Sequence, residues 1–170
     1  LAVGRLTEAK DYPNLLLAIQ LLKKQRTDFK LVIVGDGPLK IDLVNMVKEL
    51  DLTECVQFLG IRNDIPDLMS ASDLFVLSSA WEGFGLVVAE AMACERLVVV
   101  TDCGGVAQVT SPHGLLVEPK NHLLLHQAIN SVLDINLSES AKIGALSRQH
   151  IIKNYSLLKS VNSYICLYNS

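Results

Sequence analysis

The sequence predicts an α/β domain in three layers, a parallel sheet of roughly six strands with helices on both faces. Three observations predict it. Short apolar runs alternate with longer helical patterns along the chain. The runs are continuously apolar, as strands buried on both faces are. Nearly every glycine pair and uncoupled charge in the first two thirds falls where a strand would end, and parallel sheets bind ligands at that carboxyl edge.

Leu1–Val3 is the first strand, ending at Gly4-Arg5, and Tyr12–Arg26 follows as a helix with Leu15, Ala18, Ile19 and Leu22 on one face. Leu31–Val34 is a second buried strand, closed by Gly35-Asp36-Gly37-Pro38. Pro38, favoured in a first helical turn, opens a helix to about Leu50 with Leu43, Val44, Val47 and Leu50 inward. Val56–Leu59 is a short strand stopped by Gly60, and Ile65–Ser70 a small helix after the cap signal Asn63-Asp64. Asp73–Ser78 is the fourth strand. Leu86–Cys94, free of Gly and Pro, reads as a buried helix. Leu97–Val100 is the fifth strand, ended by Thr101–Gly105, and Leu115–Val117 the sixth. Helices then fill roughly 121–134, 138–153 and 157–168. The last carries Leu157, Leu158, Val161, Ile165, Leu167 and Tyr168, more apolar surface than a finished exterior needs. The chain opens inside an apolar run, which reads as an excised domain with its N-terminal portion missing.

A chain of 170 residues fits one domain that buries about 70% of its unfolded surface. The net charge of −3, with no basic block, argues against a general nucleic-acid binder. No apolar run approaches the ~20 residues of a membrane span, and no signal peptide is visible. Cys55, Cys94, Cys103 and Cys166 have neither disulfide nor metal spacing, which favours the reducing cytoplasm.

The chemistry should centre on the turn between the fourth strand and the helix after it. Gly83 and Gly85 leave backbone amides accessible, and the first amides of the helix lack intrahelical acceptors, so the turn is a natural anion seat. Glu82 precedes the helix and Glu90 stands along it, several ångströms apart: too far to share a proton, but suited to two hydroxyls of one elongated ligand. Arg5 and Lys10, flanking the loop after the first strand, could neutralise a pyrophosphate. Gly35-Asp36-Gly37-Pro38-Leu39-Lys40 is a poor dinucleotide fingerprint, with Lys40 in place of the third glycine, and reads as a tight strand-to-helix turn. His122 and His126 have the i, i+4 spacing of metal ligands, but no zincin glutamate accompanies them, so packing roles are favoured. No Asp-x-Asp pair is present to grip a divalent metal, so none is expected.

Glu82-Gly83-Phe84-Gly85-Leu86-Val87-Val88-Ala89-Glu90-Ala91-Met92-Ala93 resembles the E-x7-E segment of retaining GT-B glycosyltransferases of the group 1 type. Val3-Gly4-Arg5-Leu6 with Lys10 resembles the opening of that family's C-terminal domain. Val34–Pro38, Val56–Gly60, Asp102–Gly105, Gly114–Val117 and Tyr155…Tyr168 follow in the family's order.

The resemblance implies a Rossmann-like fold, the C-terminal half of a GT-B enzyme, with residues 1–170 as the donor-binding domain. It implies that Arg5 and Lys10 hold the diphosphate of a nucleoside-diphosphate sugar, with the amides of Gly85, Leu86 and Val87. Glu90 would hold the ribose and Glu82 a sugar hydroxyl; Gly4, Gly83 and Phe84 belong to the same donor site. Gly60-Ile61-Arg62 would present backbone to the base. No cofactor or metal is implied. An N-terminal acceptor domain would pack on the last helix, and any membrane association would run through it. The implied activity is retaining hexosyl transfer in glycan, lipopolysaccharide or capsule biosynthesis, weak or absent in this half alone. Gln108 and Cys103 depart from the family pattern outside the diphosphate seat. Two readings stay open beside this one: half of a GT-B-type sugar-nucleotide epimerase, and a non-catalytic nucleotide-binding module.

Overall fold

The computed structural model describes residues 1–168; the last two positions of the 1–170 domain reading lie outside them. Six parallel strands form: β1 Ala2–Val3, β2 Leu31–Val34, β3 Val56–Gly60, β4 Leu74–Leu77, β5 Leu97–Thr101 and β6 Leu115–Val117. Their ladders group as β1-β2-β3 and β4-β5-β6. Leu1 joins the two groups, its nitrogen donating to Leu74 O (2.8 Å) and its carbonyl accepting from Val76 N (2.8 Å), in keeping with the expected parallel sheet of roughly six strands. Across the molecule the order is therefore β3-β2-β1-β4-β5-β6, and the chain's direction of travel reverses between β1 and β4. That reversal opens a crevice at the carboxyl ends of the two strands, the place where open α/β sheets bind ligands.

The described residues form eight helices: α1 Tyr12–Lys23, α2 Lys40–Glu49, α3 Ile65–Ser70, α4 Leu86–Ala93, α5 Val106–Thr110, α6 His122–Leu133, α7 Leu137–Tyr155 and α8 Leu157–Tyr168, the last lying against α7. Successive side chains of a strand point to opposite faces, so β4 and β5 feed two cores. Leu74, Val76, Leu97 and Val99 pack with α1, α2 and α6. Phe75, Leu77, Val98 and Val100 pack with α4, α5 and Ile151 of α7. The layered Rossmann-like arrangement follows directly.

Several boundaries move for identifiable reasons. α1 stops at Lys23 rather than Arg26, whose guanidinium is drawn away by Asp28 (2.7 Å) and Asp134 (2.9 Å). α2 starts at Lys40 rather than Pro38, because Leu39 N is spent on Leu6 O (3.1 Å). Asp64 does sit at the start of α3, but its carboxylate takes Arg62 (2.6 Å) instead of capping the helix. The tight turn Glu8–Lys10 and α5 were not expected; three and five residues are too few to show a period.

His126 takes a packing place. It is buried on α6 with Nε2 3.2 Å from Gln25 Oε1, and burial lowers its pKa below the ordinary 6.5. Below pH 6.5 the unfolded chain takes up a proton that the folded chain resists, so stability should fall as acidity carries the protein from 6.5 down to the depressed native value. His126→Gln should flatten that slope in urea melts recorded across pH 5–7 on a scale of about 1 kcal/mol per pKa unit. An unchanged slope would place the acid sensitivity elsewhere.

Candidate functional site

The crevice between β1 and β4 holds a hollow of about 370 Å³ lined by Val3, Gly4, Arg5, Lys10, Glu82, Phe84, Gly85, Leu86 and Val87. Residues 72 positions apart in sequence meet here: the Lys10 ammonium is bonded to Glu82 Oε2, with both side chains about four-fifths buried. Arg5 is exposed at the rim. The hollow thus carries two cations and one carboxylate beside the start of α4. The first amides of that helix, those of Leu86 and Val87, have no intrahelical acceptor, and Val88 and Ala89 already donate to Gly85 O (2.9 and 3.3 Å). Gly85 holds the helix entry with φ +80°, a left-handed conformation that side chains resist. Cationic side chains and helix amides converging on one cavity are an anion site.

The walls are fixed by backbone contacts. Ser78 Oγ donates to Lys10 O (2.8 Å) and Ala80 N to Ala9 O (2.9 Å), which ties the loop after β1 to the loop after β4. Thr101 Oγ1, buried at the end of β5, donates to Ser79 O (2.6 Å). Gly105 N donates to Gly83 O (2.9 Å), so the Gly-Gly loop after β5 lies against the Glu82–Gly83 peptide. On the other side Gly4 N donates to Val34 O (2.9 Å) and Leu6 N to Asp36 O (3.0 Å). Asp36 accepts from Gly37 N (2.7 Å) and Lys40 Nζ (2.8 Å), which holds its carboxyl below the usual range and closes the Gly35–Lys40 turn on itself. That turn is a buttress for the Arg5 loop. Ser78, Thr101 and the two glycines after it were not singled out as site residues; a buried polar residue at a strand end followed by Gly-Gly was the available signal.

Glu90 and other expected residues stand outside the hollow. The helix was read as buried, but Leu86, which lines the hollow, and Glu90 are exposed, and Val88, Ala89, Ala91 and Met92 face the core. Glu90 sits one turn beyond Leu86 on the same exposed stripe, about 6 Å along the axis. Gly83 borders the turn without lining the hollow. Gly60-Ile61-Arg62 ends β3 on the same edge, two strands from β1 and so about 10 Å away. Ile61 there is 78% exposed, and Arg62 is paired with Asp64. Of the two carboxylates, Glu82 is engaged by Lys10 and Glu90 lies on the outer face of α4.

A larger hollow of about 520 Å³ opens at the opposite edge, near Leu31 and Leu74, among the apolar Leu22, Leu68 and Leu133. Two of its charges are engaged elsewhere, Asp28 with Arg26 and Lys30 with Glu54 O. Among the described residues no group of three His, Cys, Asp or Glu side chains is placed to hold a metal, and no helix is long and apolar enough to cross a membrane.

Comparison with known proteins points the same way. The sequence model of the family described as "Glycosyl transferases group 1" matches residues 1–154. The chain is 35% identical over 169 residues, 97% of its own length, to N-acetylgalactosamine-N,N'-diacetylbacillosaminyl-diphospho-undecaprenol 4-alpha-N-acetylgalactosaminyltransferase of Campylobacter jejuni. It spans 46% of the length of that curated relative. A TarM mutant of S. aureus, crystallised with Fondaparinux, alpha-GlcNAc-glycerol and UDP, superimposes with a TM-score of 0.93 at 26% identity, over 99% of this chain and 35% of that one. The C-terminal domain of a glycosyl transferase group 1 family protein (LpcC) from Francisella tularensis matches with a TM-score of 0.81 at 25% identity, over 92% of this chain and 85% of that one.

Proposed function

Because the chain belongs to the glycosyl transferases group 1 family, we propose that it is the nucleotide-sugar-binding half of a retaining glycosyltransferase. The donor is a nucleoside-diphosphate sugar, and the product a glycan or lipid-linked sugar. The observation that carries the reading is the single hollow joining Arg5, Lys10, Glu82 and the start of α4. The donor's diphosphate lies against Arg5, Lys10 and the amides of Gly85, Leu86 and Val87. From there the nucleoside runs outward along the carboxyl edge, with Glu90 within reach of the ribose and Gly60-Ile61-Arg62 about 10 Å away for the base. Glu82 meets a hydroxyl of the transferred sugar.

In this reading the chain's cations and amides stabilise the charge that develops on the departing diphosphate. No Asp-x-Asp pair is available for a bridging metal, so binding is metal-independent. The acceptor is oriented by an N-terminal domain that meets α8, where Leu157, Leu158 and Tyr168 are exposed, and any membrane contact runs through that domain. Orientation of two substrates needs both halves, so residues 1–170 alone bind donor but turn over poorly. Four free cysteines suit a cytoplasmic location.

Calorimetric titration of the chain with UDP-, GDP- and ADP-sugars tests this. One nucleotide should bind, with EDTA making no difference, and Arg5→Ala should weaken it about 10–100-fold, the worth of a charge-assisted hydrogen bond. Binding that ignores Arg5→Ala, or no binding at all, would sink the reading.

A further inference from the structure

The turn that enters α4 has little core of its own: Trp81 is 58%, Phe84 38% and Leu86 68% exposed. An exposed turn keeps one geometry only if its neighbours impose it. Phe84, which lines the donor hollow, has two such neighbours. Gly105 approaches it closely, since a Cβ there would lie 3.3 Å from Phe84 Cα and 3.6 Å from its ring. Tyr155, the last residue of α7, meets it edge to face, with ring centroids 5.5 Å apart and planes at 67°. That is a favoured aromatic pair. Tyr155 is itself fixed. Its hydroxyl donates to Gln108 O on α5 (2.7 Å), and its ring lies 5.8 Å from that of His150. His150 is 5.8 Å from His113 in turn, and Asn154 Nδ2 donates to its carbonyl (3.0 Å). A row of four rings thus runs from the loop before β6, past the end of α7, to the wall of the donor hollow.

What the last ring touches matters for binding. Phe84 stands one residue before Gly85, the left-handed entry to α4, and two before Leu86, whose amide belongs to the anion seat. Gly83, on its other side, accepts from Gly105 N (2.9 Å). A tilt of the Phe84 ring therefore carries the backbone that must meet a diphosphate. If the ring were released, binding would have to restore the turn first, and affinity would fall by the fraction of time spent elsewhere.

We propose that Tyr155 is a positioning residue of the donor site: by bearing on Phe84 it holds the Glu82–Gly85 turn in the shape that receives a diphosphate. The effect on nucleotide affinity rests on the function proposed above; the support of the turn does not. The coupling is reciprocal, so a bound diphosphate steadies the end of α7 as much as Tyr155 steadies the turn. Calorimetry with UDP, GDP and ADP and amide hydrogen exchange, both on the full chain, test it. Tyr155→Ala should weaken the nucleotide that binds about three- to tenfold, the worth of an aromatic pair. Tyr155→Phe, which keeps the ring and loses the hydroxyl, should recover most of that loss. On a Phe84→Leu background Tyr155→Ala should cost less than about twofold more, because its route to the site is gone. The amides of Gly105 and Val88 are bonded to Gly83 O and Gly85 O (both 2.9 Å), and that of Leu31 to Cys55 O (2.8 Å) in the other half of the sheet. In Tyr155→Ala exchange at the first two should quicken about threefold or more relative to Leu31. Lost affinity with recovery in Tyr155→Phe and local exchange supports the proposal. Unchanged affinity in Tyr155→Ala, no recovery in Tyr155→Phe, losses that add to those of Phe84→Leu, or exchange altered equally at all three amides overturns it. If no nucleotide binds the parent, the donor reading falls and exchange alone decides: local quickening keeps Tyr155 as the support of the turn, and uniform or unaltered exchange overturns it.

Discussion

Gly104→Ala should lower stability by about 2–5 kcal/mol, because two penalties add at one atom. Gly104 holds φ +55°, and a Cβ built there would lie 1.7 Å from Glu82 O and 2.9 Å from Glu82 C. The left-handed conformation alone costs about 1–2 kcal/mol for a side-chain residue. Overpacking adds about 1–3 kcal/mol, and the obstacle is backbone, which cannot rotate aside as a side chain would. For a chain of this size the sum corresponds to a fall in Tm of roughly 5–15 °C. Because the clash is with the Glu82–Gly83 peptide, the turn before α4 should shift as well, and nucleotide affinity should drop with stability. Gly83→Ala is the control. A Cβ at Gly83 meets nothing within 4 Å, so its stability should stay within about 0.5 kcal/mol of the parent. Equal thermal shifts for the two variants would show that the loop after β5 does not support the site.

Lys10→Ala should damage nucleotide binding more than Arg5→Ala does. Arg5 is exposed at the rim, so its loss removes one cation and leaves nothing stranded. Lys10 is paired with Glu82, both about four-fifths buried. Without it the carboxylate stays at the cavity wall, unpaired and facing an incoming diphosphate. The lost charge-assisted bond is worth about 1.5–3 kcal/mol, and the exposed repulsion adds to it. Affinity should fall about 100-fold or more, and in a complete enzyme kcat about 10²–10³-fold, as when a transition-state donor is removed. Glu82→Gln placed on Lys10→Ala should then restore part of the affinity. The double-mutant cycle should return a coupling of about 0.5–3 kcal/mol. Additive losses in calorimetry would mean that the pair does not act as a unit.

The layered fold was legible because most of its strands are continuously apolar runs, the first three closed by Gly4, Gly35 and Gly60, and such endings collect on one edge whatever the details of packing. Gly4, Arg5, Lys10, Glu82 and Gly85–Val87 could be placed on one edge on that ground, and the family resemblance assigned them to one donor site. The Lys10–Glu82 pairing could not. It depends on how the β1 and β4 loops meet across 72 residues, and no local pattern encodes the contact. The exposure of Glu90 was hidden because α4 is apolar on average; only its packing against α5 and α7 decides which stripe faces out. Gly35 was read as part of a tight strand-to-helix turn, and the structure adds the reason for its smallness: a Cβ there would fall 2.0 Å from Gly4 O.

The junction of β1 and β4 has a thermodynamic consequence. Arg5 and Lys10 hang from the β1 side, Glu82 and α4 from the β4 side, and backbone bonds at Leu1 and from Ala80 N to Ala9 O join the two halves. A diphosphate lying across the gap would act as a removable staple, coupling its own occupancy to the cohesion of the two halves.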